Sequence, residues 1–328
     1  MHKPVIFMFS GQGSQYYQMG RELYEKQPHF REWLQKGDRF VQEYAGFSII
    51  EKIYDSDKKC SVPFNRTLCT HPAIFMVEYS LGQLLLAQGI EPDYVLGASM
   101  GSFAALTLTG ALSFEQGLIA VIEQARCLEK QCCPGGMIAI LNNPMVFYQT
   151  GWLHRQSNLA GVNFCKHFVV SGPKKNMFEI QQAFKHTSTA TQALHVSHSF
   201  HSSWIDPAQT CYNEFLQTLS YQTPCIPFIC CINSEIMVNI PHTYLWTTIR
   251  ETIRFQETIT RLEATQPVIY VDLGPSSTLV TLVKYNLIPQ SRSELFPIMT
   301  QVGKDLANLE KILNKIKNKR GNGNFNHF

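Results

Sequence analysis

One pentapeptide in this chain has the make-up of a nucleophile. Gly97-Ala98-Ser99-Met100-Gly101 sets a serine between two glycines, just after the apolar run Tyr94-Val95-Leu96 and before the small residues that follow Phe103. A strand that turns abruptly into a helix lifts the Ser hydroxyl clear of the backbone, and the helix start offers N–H groups to an oxyanion. Taken alone, the pentapeptide fits a small-residue turn with an idle serine equally well. A second loop, Ser10-Gly11-Gln12-Gly13-Ser14-Gln15, follows the apolar run Val5 to Phe9. It lacks the lysine of a phosphate loop and the glycine spacing of a dinucleotide fingerprint. On a parallel neighbouring strand it would stand beside Ser99, and its N–H groups would complete an oxyanion hole. The third element is His198-Ser199-Phe200-His201-Ser202. A serine nucleophile needs a base within hydrogen-bond reach, but with 11 histidines in the chain a single one is a weak signal.

These groups meet only if the elements between them fold as an α/β unit. Val5 to Phe9 reads as a buried parallel strand, residues 70–88 as a helix with Ile74, Val77, Leu81, Leu84 and Leu85 at helical spacing, and Tyr94 to Leu96 as the next strand. Strand, helix, strand, helix predicts a parallel sheet with right-handed crossovers. Around Pro134-Gly135-Gly136 the texture changes. A strand at 137–141, a polar stretch, a strand at 168–172, a helix at 175–185 and an extended run to Val196 predict a small inserted α+β lobe. The expected organisation is a large lobe over 1–133 and 198–303, a small lobe over 134–197, and a C-terminal helix and flexible tail over 304–328. The late strand is expected at Val268 to Val271. The last helix should bury Leu306, Leu309, Leu313 and Ile316.

Composition narrows the function. The 328 residues are 45% hydrophobic and 16% charged, enough for a sizeable core and incompatible with a largely disordered chain. There are 28 Lys+Arg against 25 Asp+Glu, and much of the +3 excess sits in the tail at Lys311, Lys315, Lys317, Lys319 and Arg320, so nothing calls for nucleic acid or an anionic membrane. The ten cysteines show no CxxC pair or metal spacing and read as reduced thiols of a cytoplasmic protein. No apolar stretch reaches the roughly 18 residues of a membrane span.

The motifs, taken in order, resemble the malonyl-CoA:acyl-carrier-protein acyltransferases of fatty-acid and polyketide synthesis. The resemblance runs from Phe9-Ser10-Gly11-Gln12-Gly13-Ser14-Gln15 through His71-Pro72-Ala73, Gly97 to Gly101, Gly110-Ala111-Leu112-Ser113, Asn163, Val170-Ser171-Gly172, Phe200-His201-Ser202 and Arg254-Phe255 to Val271-Asp272-Leu273-Gly274-Pro275. It implies an α/β-hydrolase-like large subdomain with a ferredoxin-like insert. It also implies Ser99 as nucleophile, His201 as base, the backbone carbonyl of Thr248 as the group that orients that base, and the N–H groups of Gln12 and Met100 as the oxyanion hole. No cofactor is expected, since the substrate brings its own phosphopantetheine.

The departures from that pattern carry the functional expectation. Ala98, Ser102 and His71 stand where the family commonly has His, Glu and Gln. Counting from Ala111, Gln124 stands where malonyl enzymes carry the arginine that pairs with malonate. Arg126 lies about 200° further round the helix and cannot replace it without a register shift. A glutamine offers only neutral hydrogen bonds, whereas a guanidinium holds a carboxylate bidentately. The pattern resembles the acyl hydrolases of trans-acyltransferase polyketide synthases, the PksD/PedC type, and implies release of stalled, uncharged acyl groups from carrier thioesters. Gln124, Phe200, Asn163 and His71 are the expected acyl-pocket residues. The expected partners are an acyl carrier protein of a polyketide synthase and acyl-CoA or acyl-phosphopantetheine thioesters, with no nucleic acid and no membrane, the protein acting as a monomer. Two alternatives stay open: a working malonyl transacylase, for which His198-Ser199-Phe200-His201 speaks, and an inactive docking protein, against which intact Ser99 and His201 speak.

Overall fold

The computed structural model describes residues 3–321, with side chains to residue 316. Ten strands form two sheets: β1 (Val5–Phe9), β2 (Tyr94–Gly97), β3 (Gly135–Ile140), β4 (Asn158–Phe164), β5 (His167–Pro173), β6 (Thr191–Ala193), β7 (Phe228–Cys230), β8 (Glu235–Met237), β9 (Ile269–Asp272) and β10 (Glu294–Pro297). The large sheet runs β10-β9-β1-β2-β7-β8 and is parallel except for β8, which pairs antiparallel with β7. β1 is buried along its whole length, as an all-apolar central strand must be. Val5, Phe7 and Phe9 face one helical layer and Ile6 and Met8 the other.

The helix Thr67–Ala87 differs from the one-sided stripe expected of it. It is buried nearly all round, because helices Pro28–Ala45, Gly101–Leu108 and Phe114–Gln131 pack against it from several sides. Three helices between Arg21 and Ile53 had no counterpart in the sequence reading.

The small sheet is antiparallel and runs β4-β5-β3-β6. The polar stretch after Leu141 conceals two short helices, Met145–Gln149 and Gly151–Gln156, and the strand β4. With them the lobe reads βαββαβ in the strand order of a ferredoxin-like fold. Its own core gathers Ile138, Ile140, Phe168, Val170 and Ile180. The last helix, Asp305–Gly321, buries Leu309, Ile312 and Ile316, with Leu306 and Leu313 half-buried against them. The Gly/Asn-rich tail beyond it lies outside the described residues.

The reduced-thiol expectation needs correcting at one pair. Cys127 and Cys211 are bonded, their Cα atoms 6.1 Å apart, a separation at which a disulfide closes readily. Two helices 84 residues apart in sequence bring them together, which no local spacing could announce. Among the described residues no helix is long and apolar enough to cross a membrane.

The junction between β1 and the Ser99 turn is backbone packed directly on backbone. A Cβ on Gly101 would stand 2.2 Å from the Phe9 carbonyl oxygen and 2.6 Å from that of Ser10. Gly101→Ala should therefore shift the end of β1 and destabilise the protein by about 2 kcal/mol or more, read as a lowered midpoint in denaturant unfolding. An unchanged midpoint would contradict so close a contact.

Candidate active site

Strand register brings the first two loops together. Phe9 lies opposite Gly97 in the β1–β2 pairing, so both strands deliver their loops at the same end of the sheet. Contact is direct: a Cβ on Gly11 would lie 2.9 Å from Ser99 Cβ. Ser99 sits at φ 55°, a left-handed conformation unfavourable for any side chain with a Cβ. The first turns of the following helix hold it there, through Gly101 N–H to Ala98 O (3.1 Å) and Ser102 N–H to Ser99 O (3.0 Å).

His201 reaches the same point from the far end of the chain. It too has positive φ, 58°. Helix Tyr244–Arg250 ends beside it, and the carbonyls at a helix end have no intrahelical partner. His201 takes two of them: its N–H donates to Ile249 O (2.8 Å) and its Nδ1 to Glu251 O (2.7 Å). A carbonyl can only accept, so Nδ1 carries the proton and Nε2 keeps its lone pair. That lone pair faces Ser99 Oγ at 2.8 Å.

The orienting carbonyl is thus Glu251, and the assignment to Thr248 is corrected. Glu251 has left the helix in an extended conformation, which frees its carbonyl to turn toward His201. Thr248 instead fastens the serine turn, its Oγ1 lying 3.0 Å from Ser102 Oγ and 3.5 Å from Ser99 O. Motif counting alone missed Glu251; the usable signal is the helix end, where unpaired carbonyls collect. Arg250 adds a clamp, pairing through Nε and Nη2 with Asp206 in the turn that follows His201.

Burial sets the electrostatics. His201 is pushed down to about 4 by desolvation, helped by the charge of Arg250 and opposed by the Glu251 carbonyl. His71 is pushed down to about 3 by burial and by nearby His198. Both imidazoles are therefore neutral near pH 7.

A cavity of about 550 Å³ opens from Ser99 and His201. Gln12, Met100, His71, Asn163 and Phe200 all contribute to its wall, and among the described residues no Lys, Arg, Asp or Glu does. The backbone N–H groups of Gln12 and Met100 donate to no acceptor among the described residues. Phe200 packs on His71, ring centroids 5.5 Å apart, and Asn163 Nδ2 lies 3.0 Å from His167 Nδ1. His198 is buried with Nδ1 3.0 Å from Thr67 Oγ1, while His195 is exposed.

Gln124 needs a second correction. It is buried, but it does not line the cavity. Helix Phe114–Gln131 packs on helix Thr67–Ala87, so His71 takes the wall position and Gln124 lies against His71 and Tyr212. Arg126 points elsewhere, donating to Glu123 Oε1 (2.6 Å) and Tyr44 O (3.3 Å) on the outer surface. A buried carboxyl the sequence reading passed over, Glu78, accepts from both the N–H and the hydroxyl of Ser10 and so anchors the start of the first loop.

A strained serine, a base hung on a carbonyl and two vacant N–H donors over a cavity without ionic side chains make up the apparatus of acyl transfer. The chain belongs to the acyl transferase domain family, whose model matches residues 6–321. It is 40% identical over 316 residues to the polyketide biosynthesis acyltransferase homolog BaeD of Bacillus velezensis, covering 96% of this chain and 98% of that protein. It is 39% identical over 312 residues to the corresponding homolog PksD of Bacillus subtilis, covering 95% and 96%. Among solved structures it resembles the acyltransferase domain from the second module of the salinomycin polyketide synthase, with a TM-score of 0.82 and 26% identity over 95% of this chain and 72% of that one.

The geometry sets a pH dependence. A base already neutral at pH 5 keeps its lone pair, so the acid limb of kcat/KM should fall near pH 4 rather than near the 6.5 of free histidine. Stability follows the same sign. The unfolded chain takes up the His201 proton first, so stability is full above about pH 6.5 and is lost as pH falls toward 4. Ser99→Ala and His201→Ala should each lower turnover by about 10³-fold or more with unchanged melting temperature for Ser99→Ala. An acid limb at 6.5, measured on a carrier thioester, would contradict the buried, neutral base.

Proposed function

We propose that this protein hydrolyses uncharged acyl thioesters carried on the phosphopantetheine of an acyl carrier protein in polyketide biosynthesis. The observation that carries the reading is the wall of the cavity, which presents no formal charge. A malonyl group would bring its carboxylate into that space with no cation to meet it. An unpartnered buried carboxylate costs roughly 3–5 kcal/mol, about two to four decades of affinity. An acetyl, propionyl or butyryl chain carries no such penalty. The named relatives, polyketide biosynthesis acyltransferase homologs, support a place in polyketide biosynthesis.

The chemistry then runs on the chain's own groups. Ser99 Oγ attacks the thioester carbonyl while its proton passes to His201 Nε2. The Glu251 carbonyl steadies the imidazolium through Nδ1–H. The N–H groups of Gln12 and Met100 receive the oxyanion. The tetrahedral adduct collapses, the C–S bond breaks, and His201 returns the proton to the leaving thiol. Water then attacks the acyl-serine with His201 again as base, releasing the free acid and regenerating Ser99.

Acetyl-, propionyl- or butyryl-carrier protein should be cleaved at least about tenfold faster than malonyl-carrier protein, measured as loss of the acyl mass from the carrier with time. Arg126→Ala should leave that order unchanged, because Arg126 faces the outer surface. A preference for malonyl would overturn the reading.

A further inference from the structure

We propose that His71 is a positioning residue for the oxyanion loop: it holds the side chain of Gln12 and through it aims the Gln12 N–H at the developing oxyanion. The inference rests on the acyl-enzyme reading above and adds to it a residue that acts through another.

The loop Gly11 to Gly13 belongs to no helix or strand, so something must fix its amide direction. Its start is fixed at Ser10, bound to Glu78. Beyond Gln12 the chain turns through Gly13 at φ 106°, exposed to solvent. Ser14 Oγ donates to the Gly11 carbonyl (2.9 Å) and the Gly13 N–H donates to Gln15 Oε1 (2.7 Å), so the flanking residues are tied. At Gln12 itself the hold is its side chain, which is gripped at both ends. Its Nε2 donates to Thr70 Oγ1 at 3.1 Å, and its Oε1 lies 3.1 Å from His71 Nε2. Thr70 and His71 are adjacent, fully buried residues of the helix Thr67–Ala87, which is itself buried nearly all round.

The network also has a direction. Because the Gln12 amide nitrogen donates to Thr70, its oxygen must accept, so His71 Nε2 carries the proton. Thr70 in turn donates to Thr67 O. His71 Nδ1 is then a lone pair, buried and without a hydrogen-bonded partner, and Gln124 lies against the same imidazole with both amide atoms buried and unbonded. The hydrogen bond that His71 makes is the one from Nε2 to Gln12. A wall residue of the acyl cavity thereby sets the geometry of the oxyanion hole.

The test uses a step common to hydrolysis and transfer: acylation of Ser99 by butyryl-CoA, followed by intact-protein mass spectrometry over a range of concentrations. Gln12→Ala removes the side chain and keeps the N–H. His71→Leu removes the grip; His71→Gln keeps an N–H donor at about the same reach. Gln12→Ala and His71→Leu should each slow the saturating acylation rate about tenfold, with half-saturation within about twofold of wild type. The double variant should be no slower than either single one, because both remove the same interaction. His71→Gln should stay within about threefold of wild type. Independent losses that multiply to about a hundredfold, or a change confined to half-saturation, would overturn the proposal. Should His71→Leu fail to fold, Gln12→Ala still decides: a wild-type acylation rate in that variant refutes the grip. Ser99→Ala run alongside separates the two readings, since a butyryl adduct on that variant would sink the Ser99 assignment itself.

Discussion

The register of β1 against β2 governs everything the site does. Phe9 faces Gly97, and from that pairing the two loops leave the sheet side by side, close enough that Gly11 has no room for a side chain beside Ser99. A slip of one residue would send Phe9 and Phe7 to the opposite face and carry the Gln12 loop away from the serine. The apolar run Val5 to Phe9 forbids such a slip, because both faces of the strand are already filled. Local strain at Ser99 and at His201, both at positive φ, is tolerated because this frame and the helix ends around it over-determine their conformations.

Neutrality is the second constraint. A base that must accept a proton from serine is useless if already protonated, and burial keeps His201 in the neutral form, where a partnering carboxylate would have favoured the imidazolium. The Glu251 carbonyl supplies orientation without adding a charge to the site. The same economy extends to the cavity, whose histidines are uncharged and whose wall has no ionic side chain. Arg126 shows that a cation on the right helix is not enough: with Glu123 and Tyr44 as partners it belongs to the surface.

Much of this was legible in the residues. The apolar runs and the glycine-bounded turns marked β1, β2 and β9 and the position of Ser99, because buried parallel strands and sharp turns leave strong local signatures. The short strands β7, β8 and β10 carried no such signature and were missed. The family resemblance pointed to His201, 102 residues from Ser99 in sequence. What escaped depended on distant packing. Thr248 and Glu251 differ by three residues, and only the point at which helix Tyr244–Arg250 ends decides which carbonyl is turned to His201. Gln124 was read at the acyl pocket because motif spacing gives a position along a helix, not the layer in which the helix lies. β4 and its two helices hid in a polar stretch because a half-exposed strand in a small lobe has little periodicity. The Cys127–Cys211 bond joins residues with no local relation.

The central claim is that the acyl group on Ser99 goes to water. The most direct measurement loads Ser99 with a butyryl group, removes the donor, and follows the adduct by intact mass with and without phosphopantetheinylated carrier protein. The account predicts that the adduct is lost to butyrate at a rate the carrier does not change, and that His201→Ala, acylated chemically, retains it. An adduct stable in water that disappears only when the carrier thiol is added, with butyryl appearing on the carrier, would contradict the account and make this protein a transferase.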